Sequence, residues 1–593
     1  MRVTKNVTRK GTSYYIIRSV AGGSSEIVEK LGTEEDIKNK YHCTDALAWA
    51  KKRAQELTIQ EKEAQTTVMV PLHAKAVIPM DRPMSFNIGY LFLQKLYYDL
   101  KLPSVCRQIS RQYSFSYDLN EILSRLVYGR ILFPDSKRAT MATAADLYEQ
   151  PSFAYHDVLR ALSVLAKESD LIQEKLYQAS RDLVERKTKV LYYDCTNFFF
   201  ELEEEKGIRK YGHSKENRPN PIVQMGLFLD RSGLPLAFTI TDGNQNEQTT
   251  LLPMEKRILQ DFGLSKFVVC TDSGLSSESS RKFNNFGERA FITVQSMKKM
   301  KKKEQDWCLD PAGWRLPGSD RLYDIAALEE TEADRQKHYD RVFYKEQLLE
   351  GYDEERDIPF NQTLYVTFSL KYRDYLRSVR AGKVERAKRL IDQGSSRIER
   401  RNQNDVRQYI TRTSRTKDGA EASKVSYSLN EEAIESESRF DGFYAVCTNL
   451  ETDIDEIIRV NKGRWEIEES FRIMKSEFEA RPVFLQRDDR IRAHFLTCFV
   501  SLLLYRILEH QLPAKEKRTD PDGKVTEVRY TCEEIIRTLR GMRVTAVSDA
   551  GYVPSYTRTS LTDALHEFAG FRTDYEIIRR KQMQGNVRRS KGL

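Results

Sequence analysis

The run Val190-Leu191-Tyr192-Tyr193-Asp194-Cys195-Thr196-Asn197-Phe198 constrains the fold more than any other stretch. It is rich in β-branched and aromatic residues and lacks the polar alternation of a strand with one wet face. Such a strand belongs at the centre of a sheet covered on both sides. Val190, Tyr192, Asp194 and Thr196 share one of its faces. A carboxylate there is costly unless it is paired, hydrogen-bonded or holding a metal. Taken alone, Asp194 reads as a structural hydrogen-bond acceptor.

The segments around this strand have the texture of one α/β domain. Ile222–Asp230, Leu236–Asp242, Phe267–Thr271 and Phe291–Val294 are further short β-rich runs, with a helical stretch near Thr249–Phe262. That succession predicts a mixed sheet with helices on its faces. From 297 to 440 the charge density rises and Pro and Gly recur. Gly442–Cys447 then restores a strand, a charged helix runs from about Asp453 to Glu477, and an apolar helix covers 493–509. Upstream, residues 85–187 are helical in period: Leu91, Leu93, Leu96 and Tyr97 suit one helix, and Leu123, Leu126, Val127 and Ile131 another. At the N-terminus, Ser13–Arg18 and Glu26–Leu31 read as two strands joined by Ala21–Ser25, followed by a charged helical stretch from Thr33 to about Ala64.

The predicted organisation is an N-terminal β/α module (1–80), a helical domain (81–187), the first part of the α/β core (188–296), a basic insertion (297–440), the last part of the core (441–510), and a helical C-terminal region with a basic tail (511–593). The module either contacts DNA or serves as a solvated arm. At 593 residues, and ~150 per domain, there is ample chain for this. The net charge of +9 permits a polyanionic partner without demanding one. None of the eight cysteines has CxxC spacing, which argues against a zinc site or a disulfide framework. The most apolar run, near Phe495–Tyr505, is shorter than the ~20 residues of a membrane span, and the first twenty residues lack the apolar core of a signal peptide. A soluble cytoplasmic protein with no membrane partner is therefore expected.

Two more acidic positions stand out. Asp272 directly follows the Phe267–Thr271 strand, at the carboxyl edge where open α/β sheets build their sites; alone it reads as a helix cap. In Arg464-Trp465-Glu466-Ile467-Glu468-Glu469-Ser470-Phe471-Arg472-Ile473-Met474-Lys475, the residues Arg464, Glu468, Arg472 and Lys475 form one helical stripe. The stripe is either an exposed face of ion pairs or one metal-binding carboxylate flanked by cations that grip phosphate.

This last segment resembles the Tyr-Arg-Glu-Lys signature, Y-(2)-R-(3)-E-(6)-K, of the DDE-type insertion-sequence transposases in the "insertion sequence four" superfamily. Arg464, Glu468 and Lys475 match; Asn461 stands where the signature has Tyr; Trp465 and Phe471 also match. Upstream, Tyr211-Gly212-His213-Ser214-Lys215-Glu216-Asn217-Arg218-Pro219 resembles the family's G-[YH]-S-K-[DE]-x-R-P stretch, and Gly233–Leu236 and Gly243–Glu247 resemble further landmarks. The likeness runs from about 190 to 500.

The resemblance implies an RNase H-like catalytic core interrupted by an insertion, with Asp194, Asp272 and Glu468 as the catalytic triad. It implies two Mg²⁺ or Mn²⁺ ions held by those three carboxylates, double-stranded DNA as partner (element ends and target), a homodimer in the synaptic complex, and a nucleoid-associated location in a prokaryote. The chemistry is consistent: hard divalent ions want carboxylate oxygens, and a pair of them can drive in-line displacement at a phosphodiester. Arg464, Arg472 and Lys475 would then position phosphates, and His213, Lys215 and Arg218 would line the DNA path. In the insertion, Lys298, Lys299 and the stretch Leu376–Arg415, with twelve Lys/Arg against four Asp/Glu, become phosphate contacts. Trp307 and Trp314 are candidates for stacking on a flipped base, with core packing as the alternative. The expected function is a transposase that binds terminal inverted repeats, cleaves them and transfers the 3′-OH ends. The alternatives are an RNase H-like nuclease that hydrolyses without strand transfer and a domesticated, non-catalytic DNA-binding protein.

Overall fold

In the computed structural model the described residues are 1–593 apart from 9–10, 20–24, 42, 65–67, 69, 71–74, 76, 79, 276, 394–404, 416–420, 520–524 and 548–549. The turn at 21–24 and part of the basic stretch after Leu376 therefore lie outside the description. The chain divides into two units, residues 1–82 with 546–553 and 576–580, and residues 83–545 with 554–575 and 581–593.

In the first unit, β1 (Arg2–Thr8), β2 (Gly11–Ser19) and β3 (Ser25–Thr33) form an antiparallel sheet in that order. The helices α1 (Glu34–Tyr41) and α2 (Ala46–Ala64) cover it, burying Tyr14, Ile16, Leu31, Ile37, Ala50 and Ala54. The sequence predicted two strands. The polar run Arg2–Thr8 adds a third because pairing with β2 satisfies its backbone, which needs no apolar face.

The second unit starts with β4 (Ser85–Asn87) and a helical layer: α3 (Tyr90–Asp99), α4 (Leu102–Ser110), α5 (Leu119–Leu132), α6 (Lys137–Ala144), α7 (Tyr155–Lys167) and α8 (Ser169–Leu183). The central sheet follows. Its strands are β5 (Val190–Phe199), β6 (Ile222–Asp230), β7 (Pro235–Asp242), β8 (Val268–Thr271) and β9 (Ala290–Val294), with α9 (Leu251–Asp261) and α10 (Glu278–Phe283) between them. β5, β7, β8 and β9 run in one direction, and β6, between β5 and β7, runs antiparallel to them. Every residue of β5 except Asp194 is buried, as a strand covered on both faces requires.

Beyond β9 come α11 (Lys302–Leu309), α12 (Glu332–His338), β10 (Phe343–Leu349), the short β11 (Tyr352–Asp353) and β12 (Ile358–Pro359), β13 (Gln362–Phe368), α13 (Leu370–Asp392), the ribbon β14 (Ile410–Arg415) and β15 (Glu421–Leu429), α14 (Glu431–Ser438) and β16 (Phe443–Thr448). β10 and β13 join the central sheet through β16, giving the order β10-β13-β16-β9-β8-β5-β6-β7.

The charged helix predicted from Asp453 to Glu477 is two helices, α15 (Ile454–Lys462) and α16 (Trp465–Arg472), followed by a π turn at Ile473–Glu477. Gly463 sits at the break because a Cβ there would stand 2.1 Å from the Tyr192 hydroxyl. α16 packs on β5 and β6 and buries Ile467 and Phe471, each worth roughly 1.5–3 kcal/mol of transfer free energy.

The last long helix, α17 (Asp488–Gln511), corrects the sequence reading. With 24 residues and a mean hydropathy of 1.5 over its most apolar window, it is long and apolar enough to cross a membrane, yet 94% of that window is buried inside the unit. It packs against α3, α5, α7 and β7. Arg506, directly after the Phe495–Tyr505 run, folds inward and pairs with Glu466 and, at 2.7 Å, with Glu509.

Candidate active site

Asp194 is half-buried near the middle of β5. Its Oδ1 accepts the Cys195 backbone N–H at 2.7 Å. Burial pushes its carboxyl up to about 6; Lys215, the Cys195 amide and Arg464 oppose that rise, and the Asp272 carboxylate adds to it. These interactions place Asp194, Asp272, Lys215 and Arg464 around one spot.

Asp272 stands at the carboxyl end of β8, and its side chain is 47% exposed. Its Oδ1 accepts the Gly274 N–H, and its Oδ2 lies 3.9 Å from the Arg464 guanidinium. Each aspartate thus has one oxygen held by a main-chain amide.

Arg464 caps α16, and Glu468 lies one turn further on the same side of that helix, exposed to solvent. Asn461, at the signature's Tyr position, lies with Arg464 in hydrogen-bonding reach of the Tyr444 phenol from β16. Lys475, on the π turn, is mostly buried. Burial pushes its ammonium down to about 8; Lys215 lowers it further and Asp194 opposes. It touches Glu216 at 3.5 Å and lies over the Phe198 ring. Arg472 does not share this orientation. It is committed to two carboxylates, donating to Glu469 at 2.7 Å and to Glu477 at 3.1 Å.

The loop from Tyr211 to Pro219 leans on the end of β5. Asn197 donates to the His213 carbonyl at 3.0 Å, and the His213 ring is exposed. Lys215 donates to the Cys195 carbonyl and pairs with Glu247 at 3.4 Å. Its ammonium is held above the usual value: burial opposes this, and the Asp194 and Glu247 carboxylates outweigh it. Arg218 lies 4.1 Å over the Phe199 ring.

The insertion residues take other positions. Lys298 pairs with Glu437 at 2.8 Å, and Lys299 is exposed. Trp314 is fully buried, with its indole N–H donated to the Asp310 carbonyl at 2.9 Å. Trp307 is partly buried against the same core, and the Lys345 ammonium sits 5.4 Å from its ring and 5.0 Å from that of Trp314. Both indoles pack in this structure.

The donor set suits a hard divalent cation. Its candidates are carboxylate oxygens, and the cost of ionising half-buried Asp194 beside Asp272 is what such a charge relieves. The ligand atoms of Asp194, Asp272 and Glu468 do not all lie within 4.8 Å of one another. Among the described residues the group that does is Asp563, His566 and Asp574, whose carboxylates are already paired with Arg558 and Arg572. Sequence reasoning missed Tyr444, Glu216, Glu247 and Arg481 as neighbours of the site. For Glu216 and Glu247 the signal was present, since both lie in the landmark segments. Tyr444 and Arg481 reach the site only through the fold.

Residues 186–504 match the family model described as "Transposase DDE domain". Among solved structures, the cryo-EM structure of a piggyBac transposase synaptic complex with hairpin DNA aligns over 84% of this chain and 85% of that one, at 8% identity and a TM-score of 0.34. No curated protein matches.

Proposed function

We propose a mechanism from one premise: this chain belongs to the transposase DDE domain family, whose model spans more than half of it. It binds the terminal inverted repeats of an insertion sequence, cleaves the phosphodiester at each end and joins the freed 3′-OH to target DNA. The strand order β9-β8-β5-β6-β7, with only β6 antiparallel to the other four, supports an RNase H-like core. The observation that carries the reading is the meeting of Asp194, Asp272 and Arg464, from three distant parts of the sequence, at one sheet edge.

Asp194, Asp272 and Glu468 are the catalytic carboxylates in this reading. Two Mg²⁺ or Mn²⁺ ions held by them would supply the Lewis acidity for in-line displacement. Arg464 holds Asp272 and presents a planar fork to a phosphate, and Lys475 supplies a compact positive charge beside Asp194. Lys215 fixes the loop that carries His213 and Arg218 along the DNA path. The Tyr-Arg-Glu-Lys signature is read here with Tyr444 next to Arg464 in place of a tyrosine at 461. Bringing two element ends together calls for two copies of the chain. A nucleoid-associated, cytoplasmic setting follows from the substrate.

The test is Glu468→Gln in full-length protein with DNA from either side of its reading frame. Cleavage is lost and DNA affinity stays within twofold or so of wild type, because the change removes charge and little volume. Cutting at the wild-type rate refutes the triad. Joining of the ends to a target plasmid separates transposition from plain hydrolysis.

A further inference from the structure

Lys137, the first residue of α6, is 5% exposed, and no carboxylate or hydrogen-bond acceptor among the described residues meets its ammonium. A buried charge without a partner costs stability, so its retention calls for a compensating role. The side chain lines a cavity of about 320 Å³, at the small end of the ~300–1,000 Å³ of ligand cavities. The same cavity is lined by Arg130, Arg138 and Arg481, against only two acids, Asp135 and Glu479. The Asp135 carboxylate is engaged by the Ser136 amide at 2.5 Å. Arg130 donates to the carbonyls of Phe478 and Asp135, each at 2.9 Å, and its buried Nε has no partner. The N-terminus of α6, capped by Ser136, opens on the same space. The Lys137 ammonium, the Arg130 guanidinium and a helix N-terminus therefore bring positive charge to one partly open cavity.

We propose that this cavity is a phosphate-binding subsite filled by a DNA backbone phosphate next to the cleaved bond. Its position supports that source. Arg481 lines the cavity and pairs with Glu216, and Glu216 is also touched by Lys475, the cation beside Asp194. A strand lying in the candidate active site can continue along this row of cations. The Lys137 ammonium is pushed down to about 7 by burial, with Arg130 adding to the effect; an entering phosphate restores its charge. The proposal rests on the transposase reading.

The test compares wild type with Lys137→Met, full-length, in DNA binding and thermal unfolding. Inorganic phosphate at constant ionic strength raises the wild-type Tm and leaves the variant's unchanged. The variant binds the duplex on the order of tenfold more weakly, with a log–log salt slope shallower by about one. Its own Tm without phosphate rises, because a partnerless charge is gone. Arg138→Ala, at an exposed residue of the cavity wall, weakens binding in the same direction and guards against a folding defect. Unchanged affinity and slope in both variants overturns the proposal, and phosphate stabilising both proteins equally does so too. Binding to duplex judges the cavity; cleavage by wild type and Glu468→Gln judges the transposase reading, so the two can fail separately.

Discussion

The Arg464 guanidinium lies 3.9 Å from the Asp272 carboxylate, joining the N-cap of α16 to the end of β8. Arg464 is mostly buried, and its Nε is without a hydrogen-bond partner. A cation held this way, with donor capacity in reserve, is poised for an anion that arrives beside Asp272. Arg464→Ala therefore lowers the cleavage rate by about 10²–10³, the range for losing one preorganised charged donor. Arg464→Lys recovers little of it, since an ammonium lacks the planar fork. Single-turnover cleavage at saturating DNA makes the measurement. A rate within a fewfold of wild type for the alanine variant would remove Arg464 from the chemistry.

Lys475 has a different signature. Its ammonium is pushed down to about 8 in the free protein by burial and by Lys215. Phosphate contact would favour the charged form. Lys475→Ala is expected to reduce the salt slope of DNA binding by about one and to weaken binding at low salt the most. Because the charge fades as pH rises through 8, wild-type affinity should approach the variant's in alkaline buffer. Anisotropy titrations at two pH values and several salt concentrations read both effects.

The core strands were legible in the sequence. Val190–Phe199, Ile222–Asp230 and Ala290–Val294 fall within a residue or two of the predicted runs, because a strand buried on both faces must be apolar throughout. Arg2–Thr8 was not legible, since its stability comes from a neighbour's backbone. The break at Gly463 was not legible either: it depends on Tyr192, which meets it only after the sheet has formed. The stripe of Arg464, Glu468, Arg472 and Lys475 assumed an uninterrupted α-helix. The π turn begins after Arg472 and shifts the phase of Lys475, while Arg472 is taken up by Glu469 and Glu477; spacing alone reveals neither.

A buried ion pair at the far end of β6 carries fold stability instead of chemistry. Arg186 and Asp230 meet at 2.5 Å with side chains 2% and 0% exposed. Asp230 also accepts the amides of Ser232 and Leu234, and Arg186 donates to Ser180 and the Pro235 carbonyl. Asp230→Ala leaves an uncompensated guanidinium in the interior and should cost about 3–5 kcal/mol. Urea unfolding measures the loss. Cleavage per folded molecule stays at the wild-type level.

Glu255 gives the fold a pH dependence independent of the candidate site. It is fully buried on α9; one carboxyl oxygen accepts the Asn284 amide at 2.7 Å, and the other has no partner. Burial pushes this carboxyl up to about 8, against the pull of Asn284 and Arg289. In the unfolded chain it titrates near ~4.3. Between those two values the folded protein holds a proton that the unfolded chain has lost, so raising the pH through this window favours unfolding. Glu255→Gln keeps the shape and the acceptor and removes the titration. The variant should therefore match wild type in stability near pH 4 and gain over it steadily up to about pH 8. Above pH 8, where the native carboxylate is also ionised, the gap stops growing. Tm measured across that range, on protein free of DNA and divalent ions, decides the matter. Parallel curves for the two proteins would mean that Glu255 is already ionised in the native state, compensated by Arg289.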